Sequence, residues 1–354
     1  MGSFYGRLFR CATFGESHGP AVGVIVEGAP AGMQLTAKHV QDELDKRRPG
    51  LNLYVSQRVE DDRVEILSGV VDERTIGSPI AMIVKNTGQR SEDYKSIAHL
   101  FRPGHADYTY FKKYGIAPQP GGGRASGRET VGRVAAGAVA KRILEEELGA
   151  HVAAYTIQIG SVKVREIHPD YALKHSLRCA DPACAEAMEA EVKRVAAHGD
   201  SIGGILEIIA TGVPAGLGEP VFEKLDARLA ASLLSIGGVK GIEFGDGFRA
   251  ATKRGSEHND QMTEAGFLSN HCGGILGGIS TGQPIVMRLA VKPTASISQP
   301  QKTIDVHGLA SRISVKGRHD PCLCPRIAPV AEAMTALTLV DAWLVHKAAQ
   351  GIPR

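Results

Sequence analysis

Charge of one sign is scarce in this chain: 41 Lys and Arg against 38 Asp and Glu leave a formal net charge of +3 over 354 residues. So small an excess excludes nucleic acid or an anionic membrane surface as the main partner. No apolar run approaches the ~20 residues that a membrane helix needs. The start, MGSFYGRLFRCATF, has neither an apolar stretch of signal-peptide length nor a small-residue cleavage site. Gly2 is in place for myristoylation, but residue six is Gly6 rather than Ser or Thr, which removes that pattern. A cytoplasmic location, off any membrane, is the expectation.

Paired metal and redox motifs are also missing. The six cysteines, Cys11, Cys179, Cys184, Cys272, Cys322 and Cys324, form no CxxC pair, and Cys322-Leu323-Cys324 has no matching partner. His-x-x-x-His pairs and Cys/His quartets are absent, so no metal site is expected. There is no Gly-x-Ser-x-Gly elbow. There is no Gly-Lys-Ser/Thr, and the run Gly121-Gly122-Gly123 followed by Gly127 has the wrong spacing for a dinucleotide fingerprint. Serine hydrolase, P-loop and Rossmann chemistry all drop out.

What is present is an ordinary globular balance, 43% apolar and 22% charged, with an unusual 42 glycines. No Pro/Ser-rich linker divides the chain, so residues 1–354 are read as a single domain. Branched residues between Gly or Pro predict strands over Ala21–Gly28, Arg63–Val71, Pro79–Asn86, Gly203–Val213 and Pro284–Lys292. Helices are predicted from the cap Thr36 to Pro49-Gly50, and from Asp181-Pro182 to Gly199. Glu219-Pro220 opens a third, with Leu225, Leu229 and Leu233 on one stripe and Gly237 after it. Glu129–Leu148 differs, since its face of Val131, Val134, Ala135, Ala138 and Val139, thinned by Gly132 and Gly137, suits a central helix covered on both sides. The last helix, near Pro329–Gln350, is similarly Ala-rich. A weak echo between Ile66–Thr87 and Ile275–Thr294 points to an internal duplication.

Four segments carry groups that core-building does not require. TFGESHG puts Ser17 and His18 between glycines, on a turn. FRPGHAD presents His105 beside Arg102 on a Pro-Gly turn. QPGGGRASGRE places Arg124, Ser126 and Arg128 just before the Ala-rich helix, where backbone N–H groups and guanidiniums make an anion site. KPTASIS and KGRHDPC add Lys292, Thr294, Ser296, Arg318, His319 and Asp320 as polar groups after a buried strand. Two further glycine segments, near Gly237 and Gly277, would let a planar ring approach the backbone. These residues point to an enzyme acting on a polyanionic small molecule, and physical reasoning from the sequence ends there.

These motifs, in this order, resemble chorismate synthase: FGESHG, LDKRRPG, FRPGHADYTY, GGGRASGRETVGRVAAGAVAK, GDSIGG, GVPAGLGEPVF, SNHCGGILGGISTG, KPT and KGRHDP. The resemblance implies an α+β fold, a layered sheet–helix–sheet sandwich with internal duplication, assembled as a homotetramer. It implies anti-1,4-elimination of phosphate from 5-enolpyruvylshikimate 3-phosphate, requiring reduced flavin mononucleotide (FMN) without net redox. By the same resemblance, His18 protonates the departing phosphate and His105 the reduced flavin. Asp341 is the proton acceptor, and Ser17 and Ser126 are proton relays. Flavin contacts fall on Arg124, Ala125, Ser126, Gly237, Gly238, Gly277, Lys292, Pro293, Thr294, Ala295, Ser296 and Arg318. His18, Arg47 and Arg128 hold the substrate. Departures from the family pattern are Ala125 and Ala295 where serine is common, and Leu53 where some members have an arginine assigned to NADPH or substrate. The source of reduced flavin therefore stays open. An inactive flavin-binding scaffold and a flavin oxidoreductase are the alternative readings.

Overall fold

The structure, a computed structural model, describes residues 2–48, 62–87, 97–315 and 319–350. Val- and Ile-rich segments build two five-stranded sheets. The first contains β1 (Phe4–Tyr5), β2 (Arg10–Gly15), β3 (Ala21–Glu27), β4 (Val64–Ile66) and β5 (Ile80–Lys85), in the order β1-β2-β3-β5-β4. The second contains β6 (His151–Ile159), β7 (Val162–Lys163), β8 (Gly204–Thr211), β9 (Val239–Phe244) and β10 (Ile285–Val291), in the order β9-β10-β8-β6-β7. All neighbouring pairs in both sheets are antiparallel. Alternation sets the inner face: Ile80, Met82 and Val84 of β5 are buried while Lys85 is exposed.

The longer helices are α1 (Ala37–Arg47), α2 (Asp107–Tyr114), α3 (Thr130–Leu148), α4 (Pro182–Ala197), α5 (Leu225–Leu234) and α6 (Cys324–Ala349). Thr36 caps α1 by accepting from the His39 N–H at 3.1 Å, and Asp181 caps α4 by accepting from the Ala183 N–H at 2.9 Å. Helix α3 lies on the first sheet, α6 on the second, and the two pack against each other, which makes the sheet–helix–sheet sandwich. The small residues of α3 allow this. A Cβ on Gly137 would come within 2.3 Å of Ala333 Cβ, and one on Gly132 within 2.8 Å of the Gly23 carbonyl of β3. Within the sandwich a buried ion network joins three helices: Lys141 of α3 donates to Glu43 of α1 at 2.6 Å and to Glu332 of α6 at 2.7 Å. Arg178 completes it on the other oxygen of Glu332.

Three expectations change. Glu219-Pro220 does not open α5, because Val221 takes φ +68, outside helical space, and the helix starts at Leu225. The strand expected over Arg63–Val71 stops at Ile66, and Val70–Val71 turns back on Arg74–Thr75. Helix α6 begins at Cys324, ahead of Pro329, and carries that proline inside. By length and composition α6 could cross a membrane, yet 94% of its most apolar window is buried inside the protein, as in a core helix. The two echoing segments correspond in part: each ends in a strand, β5 (Ile80–Lys85) and β10 (Ile285–Val291), but their first halves pair differently. Ile275–Leu276 pairs with Ile279–Ser280 in a separate hairpin, whereas Val64–Ile66 pairs with β5.

Candidate active site

The site grows from the glycine run ahead of α3. Gly121, Gly122 and Gly123 adopt φ of +64, +88 and +54, so this turn is open to glycine and resists other residues. Without side chains, the turn lets two imidazoles rest on it. The place of a Cβ on Gly121 lies 2.5 Å from His18 Cδ2 and Nε2 and 2.8 Å from Ser17 Oγ. The place of a Cβ on Gly122 lies 3.1 Å from His105 Cε1 and 3.2 Å from its Nε2. Consecutive Cα atoms are ~3.8 Å apart, so His18 and His105, 87 positions apart in sequence, share one short stretch of backbone. The Ser17 N–H donates to the Gly123 carbonyl at 3.4 Å, which fastens the histidine turn to the glycine turn.

His105 is oriented by a carboxylate. Its Nδ1 lies 2.8 Å from Asp107 Oδ1, and Asp107 is gripped by Arg102 through Nε at 2.7 Å and Nη2 at 2.9 Å. Burial alone would raise the Asp107 pKa, but the hydrogen bonds and charges of His105 and Arg102 hold it well below the usual carboxylate range. Nδ1 thus lies between an acceptor, Asp107 Oδ1, and a donor, Arg102 Nη2 at 3.1 Å, while Nε2 faces the glycine turn. Arg102 also reaches Ser296 Oγ at 3.5 Å.

Ser296 leads to the segment after β10. Lys292 donates from its backbone to the Gly238 carbonyl at 2.9 Å and from Nζ to the Gly104 carbonyl at 2.8 Å. Burial, then the charge of Lys240, lowers the Lys292 pKa. Thr294 Oγ1 donates to the Asp320 carbonyl at 2.6 Å. Gly237 has open space where a Cβ would stand, and Gly238 takes φ +100. Gly237, Gly238, Lys292, Pro293, Thr294, Ala295 and Ser296 thus adjoin the His105 turn, presenting bare backbone and one cation. That combination suits a planar ring bearing an anionic group, and these residues fit a flavin.

The arginines divide. Arg124 donates to Thr13 Oγ1 at 2.8 Å, to the Thr13 carbonyl at 3.2 Å and to the Gly15 carbonyl at 3.1 Å, so its side chain ties the glycine turn to β2. Ser126 Oγ accepts from the Arg128 N–H at 3.3 Å as a helical cap. Ala125, between them, presents no polar side chain. Arg47 and Arg128 meet at a shared carboxylate, Asp62, and both are buried. Arg326 of α6 adds a third guanidinium close enough to lower the Arg47 pKa, behind the larger effect of burial and the opposing effect of Asp62.

Two expected residues are not drawn in. Asp341 is fully buried, and its Oδ1 accepts from the backbone N–H groups of Arg7, Leu8 and Phe9 at 2.9, 2.7 and 2.9 Å. Its Oδ2 binds Arg228. That carboxylate anchors the approach to β2, and none of these partners is a candidate-site residue. Gly277 turns the Ile275–Ser280 hairpin at the N-terminal end of α5, whereas Gly237 and Gly238 follow its C-terminal end, ~15 Å along the axis. Arg318 and Leu53 lie outside the described residues. Residues that the sequence left without a role are Asp107 and Asp62, while Asp320, expected among the polar groups after β10, is buried and paired with Arg326 at 2.7 Å. The signal for Asp107 was its place two residues after His105. Asp62, in the acidic run Glu60-Asp61-Asp62, gave none.

A family model described as chorismate synthase matches residues 9–344. Among solved structures, a crystal structure of chorismate synthase is similar at 31% identity with a TM-score of 0.76, over 97% of this chain and 93% of the other.

Proposed function

Because the chain belongs to the chorismate synthase family, a family of lyases, we propose that it eliminates phosphate from 5-enolpyruvylshikimate 3-phosphate to give chorismate, using reduced FMN without net redox. The observation that carries this reading is the pair of imidazoles on consecutive left-handed glycines, one of them oriented by Asp107. In the elimination a ring C–O bond to phosphate and a ring C–H bond break and a new double bond forms. The ring hydrogen is weakly acidic, and reduced FMN, when bound, supplies the electron density that makes its loss feasible.

The chain's own residues bind and move protons. His18 delivers a proton to the departing phosphate oxygen, with Ser17 beside it on Gly121. His105, its ring oriented by Asp107, passes a proton toward the cofactor. Arg47 and Arg128 bind the substrate's anions through guanidinium N–H groups. The backbone of Gly237, Gly238 and Lys292–Ser296 holds the flavin.

A cytoplasmic homotetramer is part of the proposal. All six cysteines are unpaired, as a reducing compartment allows, and the outer face of the first sheet exposes Phe4, Phe14 and Ile25. The deciding experiment is an anaerobic assay with dithionite-reduced FMN that follows chorismate and phosphate together. Equimolar appearance of both supports the reading. Net oxidation of NADPH without phosphate release identifies a flavin oxidoreductase, and flavin binding without turnover identifies a scaffold.

A further inference from the structure

A chain of hydrogen bonds runs from the glycine turn to the wall that fits a flavin, and Arg133 stands in the middle of it. Arg124, the residue after Gly123, donates from Nη2 to Thr13 Oγ1 at 2.8 Å. A hydroxyl accepts and donates at once, and Thr13 Oγ1 passes its own hydrogen to Glu129 Oε1 at 3.0 Å. Arg133 donates from Nε to both oxygens of that carboxylate, Oε2 at 2.9 Å and Oε1 at 3.2 Å. The far side of the same guanidinium grips Ser235: Nη1 donates to its Oγ at 2.6 Å, and Nη2 to its carbonyl at 3.3 Å. Met334 Sδ of α6 lies 3.9 Å from Nη1. Thr13, Glu129, Arg133 and Ser235 come from β2, the 3-10 turn ahead of α3, the first turn of α3 and the end of α5.

Ser235 follows directly on α5. The last carbonyls of a helix lack partners within it and form its negative end, so a guanidinium there satisfies both the hydrogen bond and the charge. Two residues on, Gly237 and Gly238 present the bare backbone that fits a flavin, and the Gly238 carbonyl accepts from the Lys292 N–H at 2.9 Å. The turn over 235–238 is thus fastened at both ends, by Arg133 at its start and by Lys292 at its finish. A guanidinium is a rigid planar fork, so Arg133 holds Glu129 and Ser235 at the separation that its own geometry dictates. The side chains of Arg133 and Glu129 are 19% and 11% exposed, which leaves the pair weakly screened by solvent.

We infer that Arg133 is a positioning residue for the flavin: braced on Glu129, its guanidinium sets the spacing between the Gly237–Gly238 wall and the glycine turn that carries His18 and His105. The inference rests on the proposed function, which makes that wall a flavin ligand. Arg133 acts through Ser235 rather than on a reacting atom.

The test is a titration with oxidised FMN, read by flavin fluorescence, of the full-length protein and of its Arg133→Lys, Ser235→Ala and double variants. Lysine keeps the charge beside Glu129 but has no fork to reach Ser235 as well. Arg133→Lys is expected to raise the Kd for FMN about tenfold, the effect of losing a charge-assisted bond. Ser235→Ala should raise it by less, because the bond to the Ser235 carbonyl survives. In the double variant the two effects should fall short of multiplying, as for groups acting through one contact. With reduced FMN saturating, KM for 5-enolpyruvylshikimate 3-phosphate should change less than the Kd for FMN. A residue that only supports the fold would lower the urea midpoint of its variant and leave the Kd for FMN unchanged. That result overturns the inference alone, as do effects that multiply or a KM rise as large as the rise in Kd. Should Arg133→Lys fail to fold by circular dichroism, Ser235→Ala carries the test, and wild-type Kd in that variant overturns the inference. Failure of the wild-type protein to bind FMN overturns the proposed function together with it.

Discussion

Replacing Gly121 with alanine perturbs the site at its narrowest point, and the structure says by how much. The new Cβ would stand 2.5 Å from two ring atoms of His18 and 2.8 Å from Ser17 Oγ. Ordinary contact requires the imidazole to retreat by roughly 1 Å, and such a misplacement of a reacting group costs ~10²-fold in rate. The backbone term is separate: an L residue at φ +64 costs ~1–2 kcal/mol. Gly121→Ala is therefore expected to lower kcat about a hundredfold and stability only modestly. Anaerobic phosphate release with reduced FMN reads the first quantity, and urea unfolding reads the second. Gly127→Ala is the stability control. That position is exposed, lacks a positive φ and has open space around its Cβ, so the substitution should leave the urea midpoint unchanged or slightly raised. If Gly121→Ala keeps half of wild-type turnover, the glycine turn does not place His18, and the site's geometry has been misread.

His105→Ala should lower kcat by ~10²–10⁴-fold while oxidised flavin still binds; retention of a third of wild-type turnover at neutral pH refutes its role. Asp341→Asn should cost ~1.5–3 kcal/mol of stability, because it weakens the charge-assisted bonds from three backbone amides and Arg228. The folded fraction should turn over near the wild-type rate, and a variant of normal stability with crippled kcat would instead return Asp341 to the chemistry. Glu332 carries a pH signature. Burial raises its pKa, but Lys141 and Arg178 outweigh burial and bring it down to about 2. A depressed carboxylate stabilises the fold fully above its unfolded value, ~4.3, and that stabilisation disappears as pH falls through about 2. The gap in urea midpoint between wild type and Glu332→Gln should hold from pH 7 to 5 and narrow below ~4; a gap unchanged at pH 3 contradicts this.

Much of the frame was legible because it depends on local rules. Thr36 and Asp181 cap the helices that their side chains predict, and β3, β5, β8 and β10 lie where branched residues run between glycines and prolines. The Ala- and Gly-rich stripe of residues 131–139 foretold a helix packed closely on both sides, since a missing Cβ is a statement about the neighbour. Where reading failed, the deciding term was not local. Val221 breaks the expected start of α5 through a φ that no sequence pattern announces. Nor does the apolar run around Asp341 announce that three amides from the other end of the chain bind its carboxylate.

By itself the sequence determined the element types, the family, and the presence of histidines and arginines on glycine-bearing turns. Those follow from residue-level preferences that act within a few positions. Tertiary structure decided which of these groups work together. His18 and His105 become neighbours only because residues 121–122 pass beneath both, and Asp107 holds the His105 ring while Arg102 keeps that carboxylate ionised. Asp62 matters only because α1 and the turn before α3 bring Arg47 and Arg128 to the same carboxylate. Charge pairing and close approach act through space, so positions 15, 66 or 87 apart in the chain meet only once the sandwich has closed around them.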